Sequence, residues 1–231
     1  MKLFVAGCSV SDYTKVSRVY GEILAEKLGC EYVHEAAGCG SNWRMLRVIT
    51  HHIMSGNLTP EDLLLVQYTG REREEFWSDA PQPEEAMAPH SLTHLCVLDK
   101  FHNDGHIIRY KAGSSIWQCN RTEIDFFAMY EKHFLNIAFE RERFAAANYM
   151  FQHMLVAKNI RTIFVRSIRS EPAISLDEML PEFREIVFIE PSRDRIKYDL
   201  SSDDYSHMNQ LGHEVFAGWL YDHINKFNLK G

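Results

Sequence analysis

Ser9 follows the apolar run Leu3-Phe4-Val5-Ala6 and a glycine, Gly7, and a helical pattern comes after it. A serine on a strand-to-helix turn is exposed and aimed by the backbone, which is the placement a nucleophile needs. Almost at the far end, Asp204 stands three residues before His207, just ahead of the last helical pattern. An imidazole can take the serine proton, and a carboxylate can hold that ring in the correct tautomer. The chemistry implied is acyl transfer through a serine, with the parts divided between the two ends of the chain. Taken singly, a serine after a strand is more often a helix cap, and a histidine at a helix start needs no catalytic role. Asp203 competes with Asp204, and the Asp-x-x-His spacing favours Asp204. Cys8 is an alternative nucleophile, although a turn that aims one residue at a ligand turns its neighbour away.

These residues need elements to position them. Residues 3–6 read as a first strand, and Val16, Val19, Tyr20, Ile23, Leu24 and Leu28 mark a helix over 16–28 that Gly29 stops. Glu31 to His34 is a short second strand, Ala36 to Ser41 a glycine-bearing loop, and Asn42 to Ser55 a second helix. Asp62 to Tyr68 reads as a third strand whose continuous apolar run, Leu63 to Val66, suits a parallel sheet covered on both faces. Residues 70 to about 122 fit no regular pattern and read as an irregular insertion covering the site. A long helix is expected from about Thr122 to Lys158, a fourth strand over Arg161 to Arg166, a fifth over Ile186 to Ile189, and a closing helix from Met208 to Phe227. Strands alternating with helices imply right-handed crossovers and an α/β fold, a three-layer α/β/α sandwich on a five-stranded, mostly parallel sheet. No repeat or linker divides residues 1–231, so one domain is expected.

Composition removes several classes. The chain has 231 residues and a net charge of -7, which argues against a nucleic-acid surface and disfavours anionic membranes. The opening run is too short for a secretory signal, no run reaches the roughly 20 apolar residues of a spanning helix, and a cytoplasmic protein is expected. Five cysteines at irregular spacing, with no CxxC pair, read as reduced thiols. The histidines form no zinc pattern, so no metal is expected.

In an open parallel sheet, ligands bind at the carboxyl ends of the strands. Four loops reach that edge, carrying Ser9, Gly38-Cys39-Gly40-Ser41-Asn42, Thr69-Gly70-Arg71, and Asp204 with His207. With these blocks in this order, the chain resembles the SGNH hydrolases, also called GDSL esterases and lipases. Gly7-Cys8-Ser9 matches the family's Gly-Asp-Ser, Gly40 its second-block glycine, and Asp204 to His207 its Asp-x-x-His. Asn209 to His213 match the Asn-x-x-Gly-His of a branch that begins with Gly-Cys-Ser. Two departures stand out. Cys8 replaces the aspartate of the first block, and Tyr68-Thr69-Gly70-Arg71 replaces the segment that would carry an asparagine.

The resemblance implies a flavodoxin-like SGNH hydrolase fold and a cofactor-free ester hydrolase. Ser9 would be the nucleophile, His207 the base and Asp204 its orienting partner. The oxyanion would be held by the backbone N–H groups of Ser9 and Gly40, with Thr69 or Arg71 standing in for the lost asparagine. Loss of one such donor typically costs on the order of 100-fold in rate. The expected substrate is a small-molecule or glycan acyl ester, with an acetylated carbohydrate favoured by the polar and aromatic insertion that includes Trp77 and Trp117. The alternative is a catalytically idle SGNH-like binding or structural module. His213 is expected to face the helix surface or a neighbouring loop.

Overall fold

The computed structural model describes residues 1–8, 10–13, 16–37, 40–69, 96–98, 108–110, 137–166, 179–184 and 208–227. In chain order the elements are β1 (Lys2–Ala6), α1 (Tyr20–Leu28), β2 (Glu31–His34), α2 (Asn42–Met54), β3 (Leu63–Tyr68), β4 (Cys96–Leu98), β5 (Ile108–Tyr110), α3 (Ile137–Ala157), β6 (Arg161–Arg166), α4 (Pro181–Arg184) and α5 (Gln210–Lys226). β1, β2, β3 and β6 form a parallel sheet in the order β2-β1-β3-β6. Leu3 lies opposite both Tyr32 and Leu63, and β3 pairs along its whole length with β6.

The burial pattern explains the central strands. Leu3, Val5, Leu63, Leu64, Leu65 and Val66 are all fully buried, as strands sandwiched between two helix layers must be. The chain steps from β1 outward to β2 and then back across β1 to β3. Right-handed crossovers therefore put α1 and α2 on opposite faces. The side chains of β1 agree: Val5 meets α1 at Gly21, and Phe4 meets His52 of α2. α5 packs beside α1, and α3 beside α2. The strand order reverses between β1 and β3, so the crevice that such sheets offer to ligands opens at the carboxyl ends of these two strands.

This is the expected α/β sandwich, with four strands in the described sheet. The fifth strand expected at Ile186 to Ile189 lies outside the described residues, as does the 122–136 part of the long helix. Within the stretch expected to be irregular, β4 and β5 pair as an antiparallel ribbon. Strands of three residues are too short to show a period-two pattern, so only the pairing reveals them. α1 begins at Tyr20 rather than at residue 16, for a reason given below. Among the described residues, no helix is long and apolar enough to cross a membrane.

Candidate active site

In the loop after β1, the described residues on either side of position 9 are hydrogen-bonded to one another and to β3 and α1. The Ser11 amide donates to the Cys8 carbonyl at 2.9 Å, closing a turn that brackets Ser9, which itself lies outside the described residues. Ser11 Oγ donates to Gln67 Oε1 of β3 and pairs at 2.6 Å with the Tyr20 hydroxyl of α1. The one Ser11 proton goes to Gln67, so Tyr20 donates to Ser11. Burial pushes the Tyr20 hydroxyl well above the ordinary tyrosine range, against a smaller downward pull from the Ser11 bond, so it stays a donor. A side chain at Gly7 would collide with Ser11, so glycine is required for this turn to sit on the strand end. Cys8 is 1% exposed and part of the hydrophobic core.

The loop after β2 is knitted to that turn. The Ala37 amide donates to the Gly7 carbonyl at 3.1 Å, and the Gly40 amide donates to the Ala37 carbonyl at 2.8 Å. A Cβ at position 40 would lie 2.9 Å from the Ala37 carbonyl oxygen and 3.1 Å from that of Gly7, both backbone atoms. Glycine there is a matter of close backbone approach. The Gly40 N–H is thus already engaged, and binding an oxyanion would require it to be shared or released. Ser41 caps α2 by accepting from the Arg44 amide at 3.1 Å. Behind this loop, buried Glu35 meets His52 of α2 at 2.7 Å.

The loop after β3 begins with Thr69, buried at 2% exposure. Its amide donates to Asn42 Oδ1 at 2.8 Å, and its carbonyl accepts from Asn42 Nδ2 at 3.1 Å. Thr69 can therefore offer an anion its hydroxyl but not its backbone N–H. Gly70 and Arg71 lie outside the described residues. Asn42 was legible in the sequence as a helix start at the end of the second loop, and its bridging role shows in no local pattern.

Asp204 and His207 also lie outside the described residues, but the segment that follows them is anchored. Asn209 caps α5 by accepting from the Gly212 amide at 2.8 Å. Gln210 accepts from the Arg18 amide at 3.3 Å and from the Ser17 hydroxyl at 3.2 Å. His213 is not on the helix surface: it is 2% exposed, stacked on the Tyr20 ring, and its Nδ1 accepts from the Tyr20 amide at 3.0 Å. The imidazole is thus the N-terminal cap of α1, whose own Val19 supplies no side-chain cap. That is why α1 starts at Tyr20. Tyr20 binds Ser11 through its hydroxyl and His213 through its amide, joining residues that lie two beyond Ser9 and six beyond His207.

Comparison with solved structures identifies this architecture. The chain aligns over 98% of its length with 98% of the psychrotrophic esterase EstA from a Pseudoalteromonas species, in a form inhibited by monoethylphosphonate, at 12% identity and a TM-score of 0.52. It aligns over 96% of its length with 98% of a G-D-S-L family lipolytic protein, described as putative, from Desulfitobacterium hafniense, at 8% identity and a TM-score of 0.51. The fold is that of the SGNH hydrolases. No family model matches the chain, and no curated protein matches it by sequence. Within this SGNH hydrolase fold, no group of three His, Cys, Asp or Glu side chains among the described residues is placed to hold a metal ion.

Proposed function

We propose that the protein is a carboxylic ester hydrolase that works through Ser9, His207 and Asp204. Ser9 attacks the ester carbonyl while His207 takes its proton and later returns it to the leaving alcohol. Asp204 orients the imidazole and stabilises the imidazolium. The tetrahedral oxyanion rests on the N–H of Ser9 and on that of Gly40, shared with or released from the Ala37 carbonyl, with the Thr69 hydroxyl or Arg71 as third donor. Water then enters, with His207 as base, and cleaves the acyl-enzyme. The proposed substrate is a short acyl ester, with acetyl esters of carbohydrates the first to try.

The observation that carries this reading is the meeting of both chain ends on Tyr20. Ser11 and His213 flank the two proposed catalytic stretches, and both bind this one residue at the carboxyl end of an SGNH-type sheet. The test is labelling with a fluorophosphonate together with hydrolysis of p-nitrophenyl acetate. Wild type labels at Ser9 and turns over, and Ser9→Ala loses both, by on the order of 10⁶-fold in kcat. Undiminished turnover in Ser9→Ala would remove the assignment. The competing reading is a binding module without turnover, in which the Gly40 amide stays on the Ala37 carbonyl. A folded wild type that neither labels nor hydrolyses acyl esters of any chain length is the result that reading requires.

A further inference from the structure

We infer that Asn42 is a positioning residue, a neutral clamp that fixes the distance between the anion-binding groups of two separate loops. The inference rests on the ester-hydrolase reading. Asn42 is the first residue of α2, and its backbone is held by the Ser41 cap. Asn42 is 3% exposed, and both ends of its side-chain amide bond the main chain of Thr69, at 2.8 and 3.1 Å. It binds the Thr69 main chain as a neighbouring strand would, one acceptor and one donor side by side.

The consequence lies in what the clamp joins. Thr69 is the first residue past β3, and Gly40 stands two residues before Asn42. Gly40 is in turn tied back through Ala37 to the Gly7 carbonyl at the end of β1. Hydrogen bonds from Gly7 to Ala37 to Gly40, the two backbone steps from Gly40 to Asn42, and the Asn42–Thr69 bonds thus link the end of β1, through the second loop, to the third. Without Asn42, both side-chain hydrogen bonds to the Thr69 main chain are gone, and the Thr69 N–H and carbonyl are left buried without these partners. Asparagine suits the position because it supplies a donor and an acceptor without charge. Aspartate keeps the acceptor for the Thr69 N–H but sets a carboxylate oxygen against the Thr69 carbonyl. Transition-state donors must hold their place to a fraction of an ångström, and a misplacement of about 1 Å costs about 100-fold in rate. The clamp therefore acts on the chemical step more than on binding.

The test compares wild type with Asn42→Ala and Asn42→Asp. Reactive serines are titrated with a fluorophosphonate, kcat and KM are measured on p-nitrophenyl acetate, and Tm is recorded for each. The expected result is a KM within about twofold of wild type and a kcat per titrated serine lowered about 10- to 100-fold, less in Asn42→Asp than in Asn42→Ala. Should Asn42→Ala not fold, the near-isosteric Asn42→Asp decides. A lowered Tm with unchanged kcat per titrated serine, in whichever variant folds, marks a merely structural residue and overturns the inference. A wild type that neither labels nor turns over overturns the ester-hydrolase reading itself, and the clamp's catalytic role with it.

Discussion

The two faces of the sheet are built from different chemistry, and β3 shows the division in two consecutive residues. Gln67 points to the α1 and α5 face, where it joins Ser11, Tyr20 and His213 in a buried polar network. Tyr68 points to the α2 and α3 face, stacking on Phe164 at 5.4 Å, meeting Phe144 edge-on at 6.1 Å, and donating to Asn148. Trp43 and Phe183 extend that aromatic wall. Hydrogen bonds are directional and aromatic packing is much less so. The polar face fixes where the two ends of the chain meet, while the aromatic face supplies bulk behind the strand.

The strongest way to break this contrast is to remove one large ring from each face. Tyr20→Ala and Phe144→Ala should each cost about 3–5 kcal/mol in urea unfolding, since both rings are buried. Only Tyr20→Ala should also lower the fluorophosphonate labelling rate of the molecules that remain folded. Equal labelling rates in the two variants would mean that the polar face has no special hold on the nucleophile turn. A finer version deletes a single hydroxyl from each face. Tyr20→Phe and Tyr68→Phe each remove a buried hydrogen bond, to Ser11 and Asn148 respectively, at about 1–2 kcal/mol. The expected difference is in kcat, which falls in Tyr20→Phe and holds in Tyr68→Phe. The reverse pattern would move the positioning role to the aromatic side.

The same contrast separates what the sequence disclosed from what it did not. Features written in local pattern were readable: the apolar run of β3, the start of α2 at Asn42, the β2 strand from Glu31 to His34. The start of α1 was not, because its cap is an imidazole 193 residues away. The Asn-x-x-Gly-His stretch was visible as a motif, yet only the structure divides its labour: Asn209 caps its own helix and His213 caps another. Gly40 was readable as a second-block glycine, but its close approach to the Ala37 and Gly7 carbonyls and the commitment of its amide to Ala37 were not. Asn42 was hidden for the same reason as His213, since a hydrogen bond across 27 residues of chain has no signature in spacing. Aromatic-face residues, by contrast, announce themselves by periodicity, as Phe144, Phe151 and Leu155 do on α3.

The smallest expected effect is at the opposite edge of the sheet, where neither network reaches, and it serves as a control on both. Asp62, just before β3, accepts from the Lys2 amide at 2.7 Å, the Thr59 amide at 3.0 Å and the Thr59 hydroxyl at 2.8 Å. Burial raises the carboxyl's proton affinity, but the Thr59 and Lys2 hydrogen bonds and the Lys2 charge outweigh it, holding Asp62 below the usual carboxylate range. A carboxyl lowered on folding binds fewer protons in the native state than in the unfolded chain, so stability rises with pH through that window. Its contribution is complete above the unfolded value of about 3.9 and drains away as pH falls through the lower folded value. Asp62→Asn should therefore be less stable than wild type at neutral pH. The gap should narrow as pH falls from about 5 to about 3, read as converging urea midpoints. Labelling of Ser9 at neutral pH should be unchanged, because the hydrogen bonds of Asp62 tie together the amino ends of β1 and β3, at the far edge from the candidate site. Parallel stability curves would remove Asp62 from the acid response. A labelling rate that falls with Asp62→Asn would show that the amino edge, too, sets the geometry that the contrast between the faces assigns to Tyr20.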